Sequence, residues 1–426
     1  MLVLAVMVYM LKYATRTLRK FGNWKKGRES MYRIAMIVFS YYPSDVRVRR
    51  EAETLVEAGI SVDVICLKEK GQKYKDNISG VNVYRINIQR KRLNKLRYIF
   101  EYLYFSIKAF LKLSFFFFYK RYHIIHIHNM PDFLVFCALL PRLAGAKILL
   151  DLHDPTPEVY MAKYSINETH PFIFLLRMLE RYSIRFSHRI ITPNIAFRNL
   201  FIARGCPAWK ISIVMNSPTE RIFHSNTAAS RLSVHSKKDN FVVMYHGTIV
   251  ERHGLNFSLL AFEKLRKEIP GLIFKVYGEG DNVQCFLNET KRLGLEDLVE
   301  YYGFVQNEII AKAIQSIDVG VIPNLRSPFT DLNMPVRIFE YLAIGKPVVV
   351  PRTKGIRDYF DECSINFFEP GNVSSLAESI LKIYNAPEQQ EKTIQRGINI
   401  YNKYRWDVQR KHFVNLVISL ASITIT

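Results

Sequence analysis

The sequence predicts an α/β protein built from two successive, doubly wound parallel-sheet domains, and three observations carry that expectation. Short runs rich in Val, Ile and Phe lack the polar alternation of a one-sided sheet, so their strands are covered on both faces, as in a parallel sheet. Stretches long enough for helices separate these runs, which is the spacing of repeated strand–helix–strand units. The pattern stops at Pro218 to Asn240, a basic segment rich in Ser, Thr and Asn, and then begins again. Length and composition agree, since 426 residues that are 49% hydrophobic and 23% charged exceed one small core and are too apolar for a disordered chain.

In the first half the expected strands are Ile34 to Phe39, Val62 to Leu67, Val81 to Ile86, Ile124 to His128, Lys147 to Leu150 and Arg189 to Thr192. A helix around Val46 to Ala58, stopped by Gly59, leads straight into the second strand and makes a compact strand–helix–strand unit. In the second half the strands are Phe241 to Tyr245, Leu272 to Tyr277, Val299 to Tyr302, Val319 to Ile322, Pro347 to Val350 and Ile365 to Phe368. The expected organisation is an extension at 1–30, a first domain at 31–218, a linker at 219–240, a second domain at 241–400, and a C-terminal helix at 401–426 packing back on the first. Two such domains face a cleft, and ligands of open α/β sheets bind beyond the carboxyl ends of the strands, so the loops that follow strands are the informative ones.

At the start, the apolar run Met1 to Leu11 precedes the basic segment Lys12 to Arg28. The run is shorter than the roughly 20 residues of a bilayer span, and a secretory signal places its positive charge first. It reads either as a shallow membrane anchor or as an extension ahead of a start at Met31. The formal charge of +22 favours anionic partners. From Arg85 to Tyr122 there are ten Lys/Arg against one acid, Glu101, interleaved with aromatics such as Phe100, Tyr104, Phe110 and Phe115 to Phe118. That composition suits the interface of an anionic membrane; stacking on single-stranded nucleic acid uses similar chemistry, and a core helix with a basic outer face is the plainer alternative. Lys108 and Lys112 interrupt the run, so it is not a membrane span. The cysteines Cys66, Cys137, Cys206, Cys285 and Cys363 are scattered, which suggests neither a zinc site nor a disulfide framework and fits core thiols in a reducing compartment.

The loops carry the chemistry. After Phe241 to Tyr245 comes His246-Gly-Thr-Ile-Val-Glu-Arg-His-Gly254, where Gly247 lets backbone approach a ligand and Arg252 or His253 can reach anionic oxygens. After Leu272 to Tyr277 comes the tight turn Gly278-Glu-Gly-Asp281. Neither has the glycine spacing of a dinucleotide fingerprint or a P-loop. Asn333 to Pro351 reads as a polar turn, a short helix, a glycine stop and a buried strand: Asn333 as cap, Pro335 in the first turn, and Gly345 with Pro347 at the end. Such a helix start attracts phosphate through its N–H groups and dipole, and Glu340 adds one carboxylate.

Taken in order, the loops at Gly247 to Gly254, Gly278 to Gly280 and Gly303, the strand Asp318 to Ile322, and Glu340 to Pro351 resemble the C-terminal half of retaining glycosyltransferases of family 4, which have the GT-B fold. The likeness runs from Met31 to the C-terminus, because Pro43-Ser-Asp-Val-Arg-Val-Arg-Arg-Glu51 and Asp151-Leu-His-Asp154 match the N-terminal half. The resemblance implies transfer of a sugar from a UDP- or GDP-linked donor to an acceptor hydroxyl with retained configuration, without cofactor or metal. It places His153, Asp154 and Glu340 at the catalytic centre, with Glu340 on the ribose hydroxyls. It places the donor against Gly247, Thr248, Arg252, His253, Gly278, Asn333, Met334, Val336, Arg337 and Glu340, and the acceptor side against Asp45, Arg47, His128 and Asp151.

Departures from the family pattern bear on the donor. The first of two glutamates seven residues apart falls at Leu332, with Asp331 one residue out of register; Thr248 and His253 stand where Arg and Lys are common; and Pro335 replaces a glycine. Arg252, Arg337 and Arg326 are the expected substitutes. A lipid-linked or glycan acceptor at the inner, cytoplasmic face of a membrane, bound peripherally and without nucleic acid, fits the basic aromatic segment. A nucleotide-sugar epimerase of the same architecture and a non-catalytic nucleotide-sugar-binding protein are the alternatives.

Overall fold

The computed structural model describes residues 32–88, 95–224 and 240–422. The expected extension at 1–30 and residues 225–239 of the linker lie outside the described residues. The first sheet contains β1 (Arg33–Tyr41), β2 (Ser61–Leu67), β3 (Lys75–Ile78), β4 (Val81–Ile86), β5 (Ile124–His128), β6 (Lys147–Asp151), β7 (Arg189–Thr192) and β8 (Ile211–Ile213). Its order is β3-β4-β2-β1-β5-β6-β7-β8. β1 is paired in parallel on both sides, Ile34 opposite Val62 of β2 and Ile124 of β5. Every strand predicted from an apolar run is present.

Two strands were not predicted, and each has a physical reason. β3 runs antiparallel to β4 and is a polar edge strand in which exposed and half-buried residues alternate, so it offers no apolar run. It makes the first sheet mixed rather than wholly parallel. β8 is only three residues long.

The second sheet holds β9 (Phe241–His246), β10 (Leu272–Tyr277), β11 (Val299–Gly303), β12 (Val319–Val321), β13 (Val348–Pro351) and β14 (Asn366–Phe368), all parallel, in the order β11-β10-β9-β12-β13-β14. The chain leaves β9 towards β10 and β11, then returns to place β12 on the other side of β9. The order therefore reverses beside β9, and the crevice of an open α/β sheet opens where it does. Both faces are covered. Phe262 stacks on Phe274 with centroids 4.0 Å apart on one side, and Ile338, Phe339 and Leu342 are buried on the other. Each such side chain contributes about 1.5–3 kcal/mol by leaving water.

By contact the chain forms two compact units. One comprises the described residues up to Asp151, Ser183–Ile190, and Val414 onward; the other comprises Leu152–Tyr182 and Ile191–Phe413. All five cysteines are free thiols. Cys66, Cys137 and Cys206 are buried as expected, whereas Cys285 and Cys363 are exposed.

Candidate active site

The crevice beside β9 is built from the strand's own last residues. Tyr341, on the helix Arg337–Ile344, is fully buried, and burial raises its phenol well above the usual value, so it stays protonated. Its hydroxyl donates to the Met244 carbonyl at 2.9 Å, and a carbonyl can only accept. The same oxygen therefore accepts from His246 Nδ1–H, 2.9 Å away. The opposite ring nitrogen, Nε2, lies 2.6 Å from Glu340 Oε2, within hydrogen-bond distance. Glu340 is thus held from behind by a buried histidine. Sequence reasoning placed Glu340 here but passed over His246 and Tyr341. A single histidine before a glycine has no spacing signature, and Tyr341 is an ordinary core aromatic until its hydroxyl is traced.

Two glycines are required by close approach. At Gly247, with φ +125°, an added Cβ would lie 2.9 Å from Arg337 Nη1; at Gly278, with φ +134°, it would lie 1.9 Å from the Gly247 carbonyl oxygen. Only glycine lets the two turns stack there. Arg337 Nη1 donates to the His246 carbonyl at 2.6 Å, and its guanidinium lies 4.7 Å from the centre of the Tyr245 ring. A cation is thereby fixed over the Gly247 turn.

The rest of that loop is partly spent on itself. The Thr248 carbonyl accepts from the Tyr245 hydroxyl and from His253 Nδ1–H, each at 2.6 Å. Burial first, and then the charge of Arg337, push the His253 imidazole down to about 3, so it is neutral, with its proton on Nδ1. His253 therefore brings no positive charge to a phosphate near neutral pH, contrary to the expectation that it reaches anionic oxygens. Thr248 is exposed, and Arg252 is half-buried with its guanidinium 5.8 Å from the Phe329 ring. Burial lowers the Arg252 guanidinium, and the charge of Asp154 acts in the opposite sense.

The helix carrying Glu340 starts later than predicted. It spans Arg337–Ile344, its N-cap position is Val336, and no side chain caps it. Asn333 and Met334 belong to the preceding turn, where the Asn333 N–H donates to the Phe329 carbonyl at 3.0 Å, so Asn333 is not the cap. The Ile338 N–H turns back to the Pro335 carbonyl at 3.1 Å, a tight first turn built on the proline that replaces glycine. Asp331 faces Arg326 at 3.4 Å, and Arg326 Nη2 also donates to the Arg352 carbonyl at 2.8 Å. Arg326 is therefore committed to its neighbours.

In the first unit, Asp45 caps the helix Val46–Glu57, accepting from the Val48 N–H at 3.2 Å. Arg47, Glu51, His126, His128 and Asp151 form one buried cluster at the ends of β5 and β6. Arg47 donates to both oxygens of Asp151 at 2.9 and 2.8 Å and lies 3.2 Å from Glu51. Burial alone would lower the Arg47 guanidinium, but the carboxylates of Asp151 and Glu51 outweigh it and raise it. Glu51, His126, His128 and Asp151 each offer an atom within 4.8 Å of the others, which is metal-ligand spacing. The cation of that group is already Arg47, and a divalent ion would sit against its charge, so the donor set does not fit a metal. Arg47, His128 and Asp151, which the resemblance places on the acceptor side, are all buried here. His128 and Asp151 have no exposed surface, and all three tie a helix start to two strand ends. His153 and Asp154 are half-buried in the loop after β6.

Comparison with known proteins follows this geometry. Residues 44–217 match the family model described as glycosyl transferase 4-like domain, and residues 227–400 match glycosyl transferases group 1. An uncharacterized glycosyltransferase of Methanocaldococcus jannaschii is 24% identical over 90% of this chain and 97% of its own length. The chitobiosyldiphosphodolichol beta-mannosyltransferase of Kluyveromyces lactis is 19% identical over 90% of this chain and 89% of its own. Among solved structures, sucrose-phosphate synthase from Thermosynechococcus elongatus covers 92% of this chain and all of its own with a TM-score of 0.74 at 17% identity. The Anabaena protein Alr3699/HepE, solved in complex with UDP, covers 91% of this chain and 100% of its own with a TM-score of 0.68 at 15% identity. The fold is GT-B.

Proposed function

Since the chain belongs to the group 1 glycosyltransferases with a 4-like N-terminal domain, we propose that it transfers a hexosyl group from a nucleoside-diphosphate sugar to an acceptor hydroxyl, retaining the anomeric configuration. The observation that carries the donor side is the anchored carboxylate: Glu340, held at 2.6 Å by His246, stands beside two glycine turns that bring backbone to the end of β9. A carboxylate is acceptor-only, so it suits a pair of ribose hydroxyls. Arg337, stacked over Tyr245, and Arg252 supply positive charge for the diphosphate, together with the helix start beside them.

The leaving group is an anion, and the protein's contribution is to stabilise charge as the glycosidic bond to phosphate breaks. Arg337 does this from a fixed position, with no reorganisation during the step. Front-face attack by the acceptor, which the retaining reading implies, asks for no enzyme nucleophile, and the proposal assigns no metal or cofactor. Of the two nucleotides left open by the sequence, UDP is favoured by the UDP bound in Alr3699/HepE. For the acceptor we take a lipid-linked glycan precursor at the inner face of a membrane, where the protein is peripheral. A dolichol-linked acceptor is named for the Kluyveromyces lactis relative, and among the described residues no helix is long and apolar enough to cross a membrane.

The test is Glu340→Ala with a screened donor. Thermal shifts against UDP-, GDP- and ADP-sugars identify the nucleotide. Release of nucleoside diphosphate in the presence of acceptor, at donor concentrations well below KM, is then expected to fall by at least about tenfold, the size of a lost charged hydrogen-bonding group. Full activity in the variant overturns the assignment.

A further inference from the structure

The helix Lys95–Lys120 has an outer face that the donor chemistry does not use. It is 26 residues, about 39 Å at 1.5 Å per residue. Its inner stripe, including Phe105, Ala109 and Leu113, is completely buried, and Cys137 donates to the Ser106 carbonyl from the adjoining segment. A helix buried on one side ordinarily shows charged and polar residues on the other. This one shows Ile99, Phe100, Leu103, Tyr104, Ile107, Leu111, Phe115, Phe118 and Tyr119, with Phe100 66% and Ile107 59% exposed. At 100° per residue these positions share about half the helix circumference, an apolar stripe running from Ile99 to Tyr119. The adjoining segment continues it with exposed Phe136, Leu139 and Leu143, spaced three and four residues apart.

The charges around that stripe identify what covers it. Lys108 and Arg121 are exposed and Lys112 is half-buried, while the helix's one acid, Glu101, is buried and faces Arg97 at 3.1 Å. The surface therefore offers cations and aromatics and no exposed carboxylate. We propose that the helix Lys95–Lys120 lies in the plane of an anionic lipid surface, with its apolar stripe at the boundary of headgroups and acyl chains and its lysines on the headgroups. Tyr104 and Tyr119 suit that boundary, having an apolar ring and a polar tip. The helix lies on the membrane and does not span it, since Lys108 and Lys112 fall mid-helix. A second copy of the chain fits less well, because pairing this face with itself would set Lys108 and Arg121 near their own symmetry mates with no exposed acid to offset them. The proposal deepens the membrane part of the functional reading and is independent of sugar transfer.

Sedimentation of the full chain with vesicles, in the absence of donor and acceptor, tests it. The parent is expected to sediment with phosphatidylcholine vesicles containing phosphatidylglycerol, and much less with phosphatidylcholine alone. The triple variant Phe100→Ser, Ile107→Ser, Phe115→Ser is expected to lose partitioning by at least about tenfold, because it removes three large side chains from the buried face. All three are exposed, so circular dichroism and the thermal transition should be unchanged. If the triple variant fails to fold, Phe115→Trp takes its place, with a blue shift of emission on anionic vesicles expected beyond any shift in the parent. Failure of the parent to bind anionic vesicles, equal binding to both compositions, or emission that does not move overturns the proposal. So does a dimer by light scattering that the triple variant dissociates without vesicle binding. Because no sugar transfer is measured, these outcomes stay separate from the Glu340→Ala result.

Discussion

At the scale of single residues, the proposed function turns on how Glu340 is held. Its place was legible because a glutamate on a short helix between a polar turn and Gly345 recurs in the resembling family. Its support was not legible, because the two side chains that orient it, Tyr341 and His246, meet only when β9 and the helix Arg337–Ile344 come together. The chain of bonds runs from the Met244 carbonyl to the Tyr341 hydroxyl, then to both nitrogens of His246, then to Glu340. In the proposed function His246 is a positioning residue, acting on the donor through the carboxylate. Replacing it with Phe keeps the ring and removes both hydrogen bonds, so Glu340 loses its fixed rotamer. A hydrogen bond to a charged group contributes about 1.5–3 kcal/mol, so the donor KM should rise about ten- to a hundredfold. The value of kcat should move little, because ribose contacts serve ground state and transition state alike. His246→Asn, which can still donate, should recover part of the loss. An unchanged KM in His246→Phe would show that Glu340 is not held through this ring.

At the scale of elements, the predicted strands were found because apolar runs announce buried strands, while β3 escaped for want of such a run and one helix start was misplaced by a false start signal. β3 carries Lys75, Asp76 and Asn77 and is held by pairing with β4, which the sequence of β3 does not encode. The helix around Glu340 was drawn from Asn333 because a polar residue before an apolar run is the usual start signal, but Pro335 and the Phe329 carbonyl turn that stretch into a separate bend. The Trp406–Ala421 helix raises a question of acid balance. Burial first, and then the hydrogen bond and charge of Asp407, push the Glu220 carboxyl up to about 7, with Arg405 at 3.4 Å pulling the other way without prevailing. A carboxyl whose folded value lies above its unfolded one binds more protons in the fold. Its contribution is therefore fully present below the ordinary value of 4.5 and is lost as pH rises through about 7. Glu220→Gln, which keeps a neutral group there, should raise the melting temperature by a few degrees at pH 8 and leave it nearly unchanged at pH 4.5. A gain of equal size at both pH values would mean that the ionisation of Glu220 is not the cause.

At the scale of the whole molecule, the charge of +22 and the family-like loops are two signals with different ranges. The charge was plain from composition alone, but composition could not say where it acts, and the aromatic lysine-rich segment became interpretable only when its outer face proved apolar from Ile99 to Tyr119. Exposed charges act over the Debye length, about 10 Å at 0.1 M salt and about 3 Å at 1 M. The proposed donor contacts act at hydrogen-bond distance in a crevice where Tyr245, His246 and Tyr341 are buried, and such contacts are screened far less. Raising salt to about 1 M should therefore bring binding to anionic vesicles down to the level seen with neutral ones. The thermal shift produced by the donor nucleotide should keep most of its size, since a ligand at about 100 times its Kd stabilises by roughly 2.7 kcal/mol through mass action alone. If both responses fell together, the nucleotide would be held by the general positive field and not by Glu340 and Arg337. If neither fell, vesicle attachment would be wholly apolar, and the lysines along the helix Lys95–Lys120 would have no part in choosing the membrane.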